Sequence, residues 1–484
     1  MSNILSTLQP ARIWHYFGEI CNIPRPSKKE ERIREYLRDF AIRQNLEYDI
    51  DEIGNILIRK PGTSGRENDR ITVLQSHMDM VCEKNQDTIH DFDTDPILPR
   101  IDGEWVKATN TTLGADNGIG VAASLAILES TEAEHGPLEC LITVDEETGL
   151  SGAFALQPSY VKGRILLNLD SEDEGEIFIG CAGGTDTAIT LPVQWDPIQP
   201  GYSAYSIEIS GLKGGHSGDE IHKGLGNSNK ILNRMLWNLS QHIDLRIASF
   251  TGGNLRNAIP REAIGVFVIP ESSLEICNTL THQHAISIWQ ELQHTDPDLS
   301  IRINPAPMPV QVMTKESSNR LMGALYACPH GVISMSPVIP GLVETSTNLA
   351  AVRTKEDSIF ITTSQRSSIE SAKQDIANQV AATFQLAGAK TEQGDGYPGW
   401  APNPNSEILE ITRKAHLKVL GYEPAVKAIH AGLECGVIGE KYPGIDMISF
   451  GPTIRGPHSP DERLQIDTVG RFWGLLVEVL YNIR

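Results

Sequence analysis

Two short stretches of the chain carry side chains able to bind metal at places where a buried strand should end. Ser76-His77-Met78-Asp79-Met80 follows directly on the apolar run Ile71-Thr72-Val73-Leu74. Asp145-Glu146-Glu147-Thr148-Gly149 follows on Leu141-Ile142-Thr143-Val144. An imidazole or carboxylate at such a place is costly to bury unless it is paired or bound to metal. Two further segments repeat the plan. Residues 164–169 are strand-like and end in Asp170, and residues 445–450 are strand-like and precede a loop carrying His458. Asp116 lies in Thr112-Leu113-Gly114-Ala115-Asp116-Asn117-Gly118, just before an apolar pattern over residues 119–128 that reads as a helix.

In an open α/β sheet, ligand sites gather at the carboxyl ends of the strands. His77, Asp116, Glu147, Asp170 and His458 are therefore expected in one pocket. Two imidazoles and three carboxylates suit two divalent ions, zinc by default, with cobalt or manganese compatible with the same nitrogen and oxygen donors. Asp116 is expected to bridge them, because its loop lies between the strand-end loops. Asp79, two residues from His77, is placed to orient that imidazole. Of the neighbours Glu146 and Glu147, one can bind metal while the other takes a proton from the bridging water. The chemistry is hydrolysis by metal-activated water. Taken singly, each feature has a plainer reading: paired acids after a strand are usually a solvated turn, and the acidic run 170–174 is by itself a surface loop. Their conjunction in one chain is the signal.

The stretches SHMDM (76–80), TLGADNGIG (112–120), DEETGL (145–150), NLDSEDEGE (168–176) and GPTIRGPHSPDE (451–462) resemble the metal-binding motifs of the co-catalytic zinc exopeptidases, the family of carnosinases, aminoacylases and glutamate carboxypeptidases. The resemblance runs in order from near residue 10 to the C-terminus. It implies one ion held by His77 and Asp170, the other by Glu147 and His458, and Asp116 between them. It implies Glu146 as general base, Asp79 as the supporting aspartate, and a cis peptide bond between Asp116 and Asn117. The implied activity is hydrolysis of unblocked dipeptides, including Xaa-His types such as carnosine. Aminoacylase-type removal of an acyl group is the alternative.

Composition frames this reading. A chain of 484 residues is long enough for at least two domains, and its 40% hydrophobic and 21% charged content is that of a globular protein. No run approaches the ~18 apolar residues needed to span a bilayer, so no membrane role is expected. The N-terminal stretch lacks a basic start followed by an apolar core, which predicts no secretory signal. The seven cysteines are widely spaced with no Cys-x-x-Cys, which favours reduced thiols and a cytoplasmic setting. A formal charge of −21 without basic patches argues against nucleic-acid binding.

The ligand set is split between the chain ends, so the middle must be an insertion. Residues 1–185 and 393–484 are expected to form an α/β catalytic domain with a mixed, largely parallel sheet flanked by helices. Residues 186–392 are expected to form an α+β lid, which the resemblance also implies, together with a homodimer. Within the first piece, residues 13–21 read as a helix, and Ser27 with Glu30 reads as a capping box for a second. Within the insertion, a strand over 261–268 followed by Ser272-x-x-Glu275 is echoed by a strand over 359–363 followed by Ser367-x-x-Glu370. Gly214-Gly215-His216-Ser217-Gly218 lets the backbone approach closely and projects an imidazole. By resemblance, His216 is the lid histidine that stabilises the developing oxyanion. Asn257 and Arg366 likewise resemble substrate-binding positions, and the planar fork of an arginine suits a terminal carboxylate. Glu434, or Asp173, is placed to hold a substrate amino group; a buried structural acid is the other reading of Glu434.

Overall fold

A computed structural model describes residues 4–484. The chain divides into two compact units. The first comprises the residues up to Gly180 together with Trp400–Ala428 and Leu433–Arg484, and the second comprises Cys181–Gly399 and Ile429–Gly432.

The first unit is built on an eight-stranded sheet. Its spatial order is Glu47–Ile50, Ile56–Lys60, Leu138–Thr143, Thr72–His77, Ile165–Asn168, Asp446–Ser449, Glu176–Cys181 and Ala425–Ile429. The four central strands, from Leu138–Thr143 to Asp446–Ser449, are mutually parallel. Antiparallel pairings flank them on both sides. Parallel strands are covered on both faces, so they read as continuous apolar runs rather than as alternating patterns. Accordingly Thr72–His77 and Leu138–Thr143 are buried at every position. Leu74, Leu141 and Leu166 are wholly inaccessible, and each contributes about 1.5–3 kcal/mol by leaving water. Helices Ala11–Cys21 and Ala115–Glu129 pack together, as do Glu407–Leu420 and Ile466–Asn482. Helix Ala115–Glu129 is apolar on nearly its whole circumference, as a helix buried on all sides must be.

The second unit holds a nine-stranded sheet whose recorded pairings are all antiparallel. Strand Ala263–Pro270 leads into helix Leu274–Leu292, and strand Ser358–Ser367 leads into helix Glu370–Leu386. Its core joins Ile207, Leu232, Phe250, Phe267, Val380 and Phe384.

One local expectation is corrected. The second helix, Glu31–Arg43, has no side-chain cap at Glu30. Ser27 Oγ instead donates to Asp79 Oδ2 at 2.7 Å. Glu30 Oε1 accepts from the amides of Lys28 (2.8 Å) and Asp145 (3.0 Å). A buried carboxylate and a buried loop amide each need a partner, and that need outweighs the local cap. Asp116 and Asn117 have non-helical backbone angles, so the regular helix begins beyond them and Asp116 sits in the kinked turn just before its start.

Candidate metal centre

Four of the five candidate ligands are delivered by the parallel strands or the segments that follow them. His77 is the last residue of its strand, Glu147 lies four residues beyond Thr143, and Asp170 lies two beyond Asn168. His458 is delivered by the segment after Asp446–Ser449, in left-handed backbone geometry with φ 59°. Asp116 enters from the kinked turn, across a cis Asp116–Asn117 peptide bond.

The five side chains converge. His77 Nε2 lies 3.2 Å from Asp116 Oδ1 and 3.4 Å from Asp170 Oδ1. His458 Nε2 lies 3.1 Å from Asp116 Oδ2 and 3.1 Å from Glu147 Oε2. The two oxygens of Asp116 thus face two different imidazoles, each joined by one further carboxylate. Asp79, wholly buried, ties this arrangement together. Its Oδ1 is 3.3 Å from His77 Nδ1, and its two oxygens accept the amides of Glu146 (3.1 Å) and Glu147 (3.2 Å). The Glu146 carboxylate falls in a second grouping with His77 and Glu147. Glu147 rather than Glu146 faces His458, at 3.1 Å.

The charges are those of a cation site. Burial raises the Asp170 carboxyl to about 7, against the pull of His77. Burial, with Asp116 and Asp170 nearby, raises Glu172 to about 9. Glu146 is also raised well above the carboxylate range, first by burial. His458 moves up to about 11 through hydrogen bonds to Asp116 and Glu147. For His77, burial favours the neutral ring, but Asp170, Asp116 and Asp79 outweigh it and raise the pKa. Glu147 Oε1 and Asp170 Oδ1 are buried and accept no hydrogen bond. Carboxylates packed this closely call for positive charge among them. His77, Asp116 and Asp170 form one donor set, and Asp116, Glu147 and His458 form another. Nitrogen and oxygen donors in threes, with one shared carboxylate, fit a pair of divalent ions.

Glu434 is buried completely. Its Oε2 accepts from Gln75 Nε2 (2.5 Å) and Thr143 Oγ1 (2.7 Å), and burial raises it to about 8. Gln75 Oε1 accepts from Asn168, which accepts from Ser449, itself bonded to Ser171. One polar side chain from each central parallel strand thus enters a single network. The other oxygen of Glu434, Oε1, is buried without a hydrogen-bond partner. Asp173 is engaged with Arg455 Nη2 at 2.7 Å. Sequence reasoning missed Glu172, which was visible only as one member of an acidic run.

His216, Asn257 and Arg366 lie in the second unit. Gly215–His216 pairs with Ala258–Ile259, and Ser217 N donates to the carbonyl of Asn257 at 2.8 Å, so His216 and Asn257 share one ribbon. His216 Nδ1 is 3.2 Å from both the amide and the carboxylate of Asp219, which leaves Nε2 for another partner. Arg366 is buried, and its Nη1 donates to Tyr397 Oη at 2.9 Å while its Nε has no acceptor. Burial opposes ionisation of Asp219, but its hydrogen bond to His216, with His216 and Arg366 nearby, lowers its pKa.

Fold and site define a class of protein. Residues 73–482 match the model of peptidase family M20/M25/M40, and the chain belongs to that family. It is 44% identical over 479 residues to the cytosol non-specific dipeptidase of Escherichia coli, covering 99% of each chain. The crystal structure of an aminoacylhistidine dipeptidase from Vibrio alginolyticus superposes with a TM-score of 0.94 at 46% identity, covering 99% of this chain and 98% of that one. An aminopeptidase from Bacillus cereus shares the fold, with a TM-score of 0.58 at 16% identity over 98% of this chain and 99% of that one. Among the described residues no helix is long and apolar enough to cross a membrane.

Proposed function

We propose that the protein is a dinuclear metallodipeptidase that hydrolyses the peptide bond of unblocked dipeptides, Xaa-His types such as carnosine included. The observation that carries this reading is Asp116, whose two carboxylate oxygens face His77 and His458 at 3.2 and 3.1 Å. The dipeptidase names of the two relatives at 44% and 46% identity support the substrate class. His77 and Asp170 would hold one ion, Glu147 and His458 the other, with Asp116 shared; zinc is the default, and cobalt or manganese suit the same donors. When bound, the ions supply a water of lowered pKa and polarise the scissile carbonyl.

The remaining steps belong to the chain. Glu146 takes the proton of the attacking water and returns it to the leaving amine. Asp79 fixes the tautomer and direction of His77 and pins the turn that aims Glu146. In the assignment proposed here, residues 1–185 and 393–484 form the catalytic domain and residues 186–392 the lid. His216 Nε2 then stabilises the developing oxyanion. Arg366 and Asn257 hold the C-terminal residue of the substrate. An acid such as Glu434, whose Oε1 is buried without a partner, or Asp173 neutralises the free α-amino group of the substrate. The working form is a homodimer in the cytoplasm, in keeping with the cytosolic name of the Escherichia coli relative. Sedimentation of the active protein checks the dimer, and a fully active monomer refutes it.

Anchors at both ends measure substrate length, because a displaced terminus leaves a charge unpaired, at a cost of several kcal/mol. A dipeptide should therefore be cleaved far faster than its N-acetyl form or the tripeptide one residue longer. Rates measured on the three decide the point. Equal rates sink the dipeptidase reading, and preference for the acetylated form favours an aminoacylase.

A further inference from the structure

The loop carrying Asp116 is held from two sides by buried charges that touch no proposed metal ligand side chain. On one side is Glu462, 2% exposed. Its Oε2 accepts the amides of Leu113 (2.6 Å) and Gly114 (2.9 Å), and its Oε1 accepts those of Ala115 (2.7 Å) and Asp116 (3.3 Å). One carboxylate thereby takes up four consecutive backbone donors, at 346 to 349 residues' separation in sequence. On the other side is Arg25, 3% exposed. Its Nη1 donates to the carbonyls of Met78 (3.0 Å) and Asp79 (2.7 Å), and its Nη2 donates to that of Gly114 (2.5 Å). The space for the guanidinium is made by glycine. A Cβ on Gly118 would stand 2.8 Å from Arg25 Nη2, and Gly114 has φ 69°.

We propose that Arg25 and Glu462 are positioning residues that preset the spacing of the metal ligands. The inference rests on the metallopeptidase reading of the site. Arg25 joins the Asp116 loop to the segment of His77 and Asp79. Glu462, four residues after His458, joins the same loop to the segment of His458. Asn117 Nδ2 completes the set by donating to the carbonyl of Leu169, beside Asp170, at 2.7 Å. Three ligand-bearing segments are thus referenced to one loop. Both charges act through the backbone, where a carboxylate on several amides and a planar guanidinium on several carbonyls are the rigid choices. A site that is already spaced binds its ions without first ordering the loop.

The test compares the parent with Glu462→Gln, Glu462→Asp and Arg25→Lys. Zinc affinity of the metal-depleted proteins is read by competition with a chromophoric chelator, folding by circular dichroism, and kcat and KM on a dipeptide at rising zinc. Glu462→Gln is expected to weaken binding of at least one ion by about 10- to 100-fold. Its kcat should fall with KM little changed, and added zinc should restore kcat. Glu462→Asp, which keeps the charge, should lie between it and the parent. A folded Glu462→Gln that binds both zinc ions as tightly as the parent overturns the proposal. If Glu462→Gln does not fold, Gly118→Ala decides: pressing on the guanidinium should weaken zinc binding, and unchanged affinity refutes the clamp. Zinc stoichiometry of the parent separates the two levels. Fewer than two ions per chain defeats the metallopeptidase reading and this proposal with it; two ions with unchanged variant affinities defeat the clamp alone.

Discussion

Glu146→Gln is expected to lower kcat by roughly 10²- to 10⁴-fold while the protein keeps its metal. Glutamine preserves the volume and removes the basic carboxylate. The metal groupings nearest His458 involve Glu147, whose Oε2 is 3.1 Å from that imidazole, and not Glu146. The turn itself should survive, since it is the backbone amides of Glu146 and Glu147 that Asp79 holds. Glu147→Gln should behave in the opposite way, losing metal from the His458 side and activity as a consequence. Metal analysis and turnover on both variants check the assignment. Loss of metal from Glu146→Gln with retention in Glu147→Gln would exchange the two roles.

Asp116→Ala should have the broader effect, weakening both ions at once and taking turnover to background. His458→Ala, by contrast, should weaken one. The difference follows from geometry: Asp116 offers one oxygen to each half of the cluster, whereas His458 Nε2 meets only Asp116 and Glu147. A ligand that binds only the folded state stabilises it in proportion to RT ln(1 + [L]/Kd), about 2.7 kcal/mol at a hundredfold excess over Kd. Zinc should therefore raise the unfolding temperature of the parent and leave that of Asp116→Ala nearly unmoved. Retention of two tightly bound ions by Asp116→Ala would show that this carboxylate is not shared.

His77, Glu147 and Asp170 were legible because each ends or closely follows a strand that is buried along its length. One charged side chain after such a run as Thr72–His77 or Leu138–Thr143 is ordinary, but several in one chain point to a shared buried site. The parallel order of the central strands then brings their carboxyl ends to one edge. Alternating helix and strand patterns were sufficient for the α/β class as well.

What the tertiary structure alone decided concerns partners far apart in sequence. Ser27 and Glu30 have the spacing of a helix cap, yet they serve Asp79 and Asp145, 52 and 115 residues away. Glu434 Oε2 accepts from Gln75, 359 residues away, within a buried polar network. Which of Glu146 and Glu147 faces His458 depends on a turn held by Asp79, from the segment after another strand. Arg25 and Glu462 carry no local pattern at all, because their partners are backbone amides and carbonyls, which every sequence possesses. Local periodicity reports which face a side chain presents. Only the folded chain determines which distant buried groups satisfy one another, because each buried charge or polar group is satisfied by whatever the fold brings within hydrogen-bonding distance.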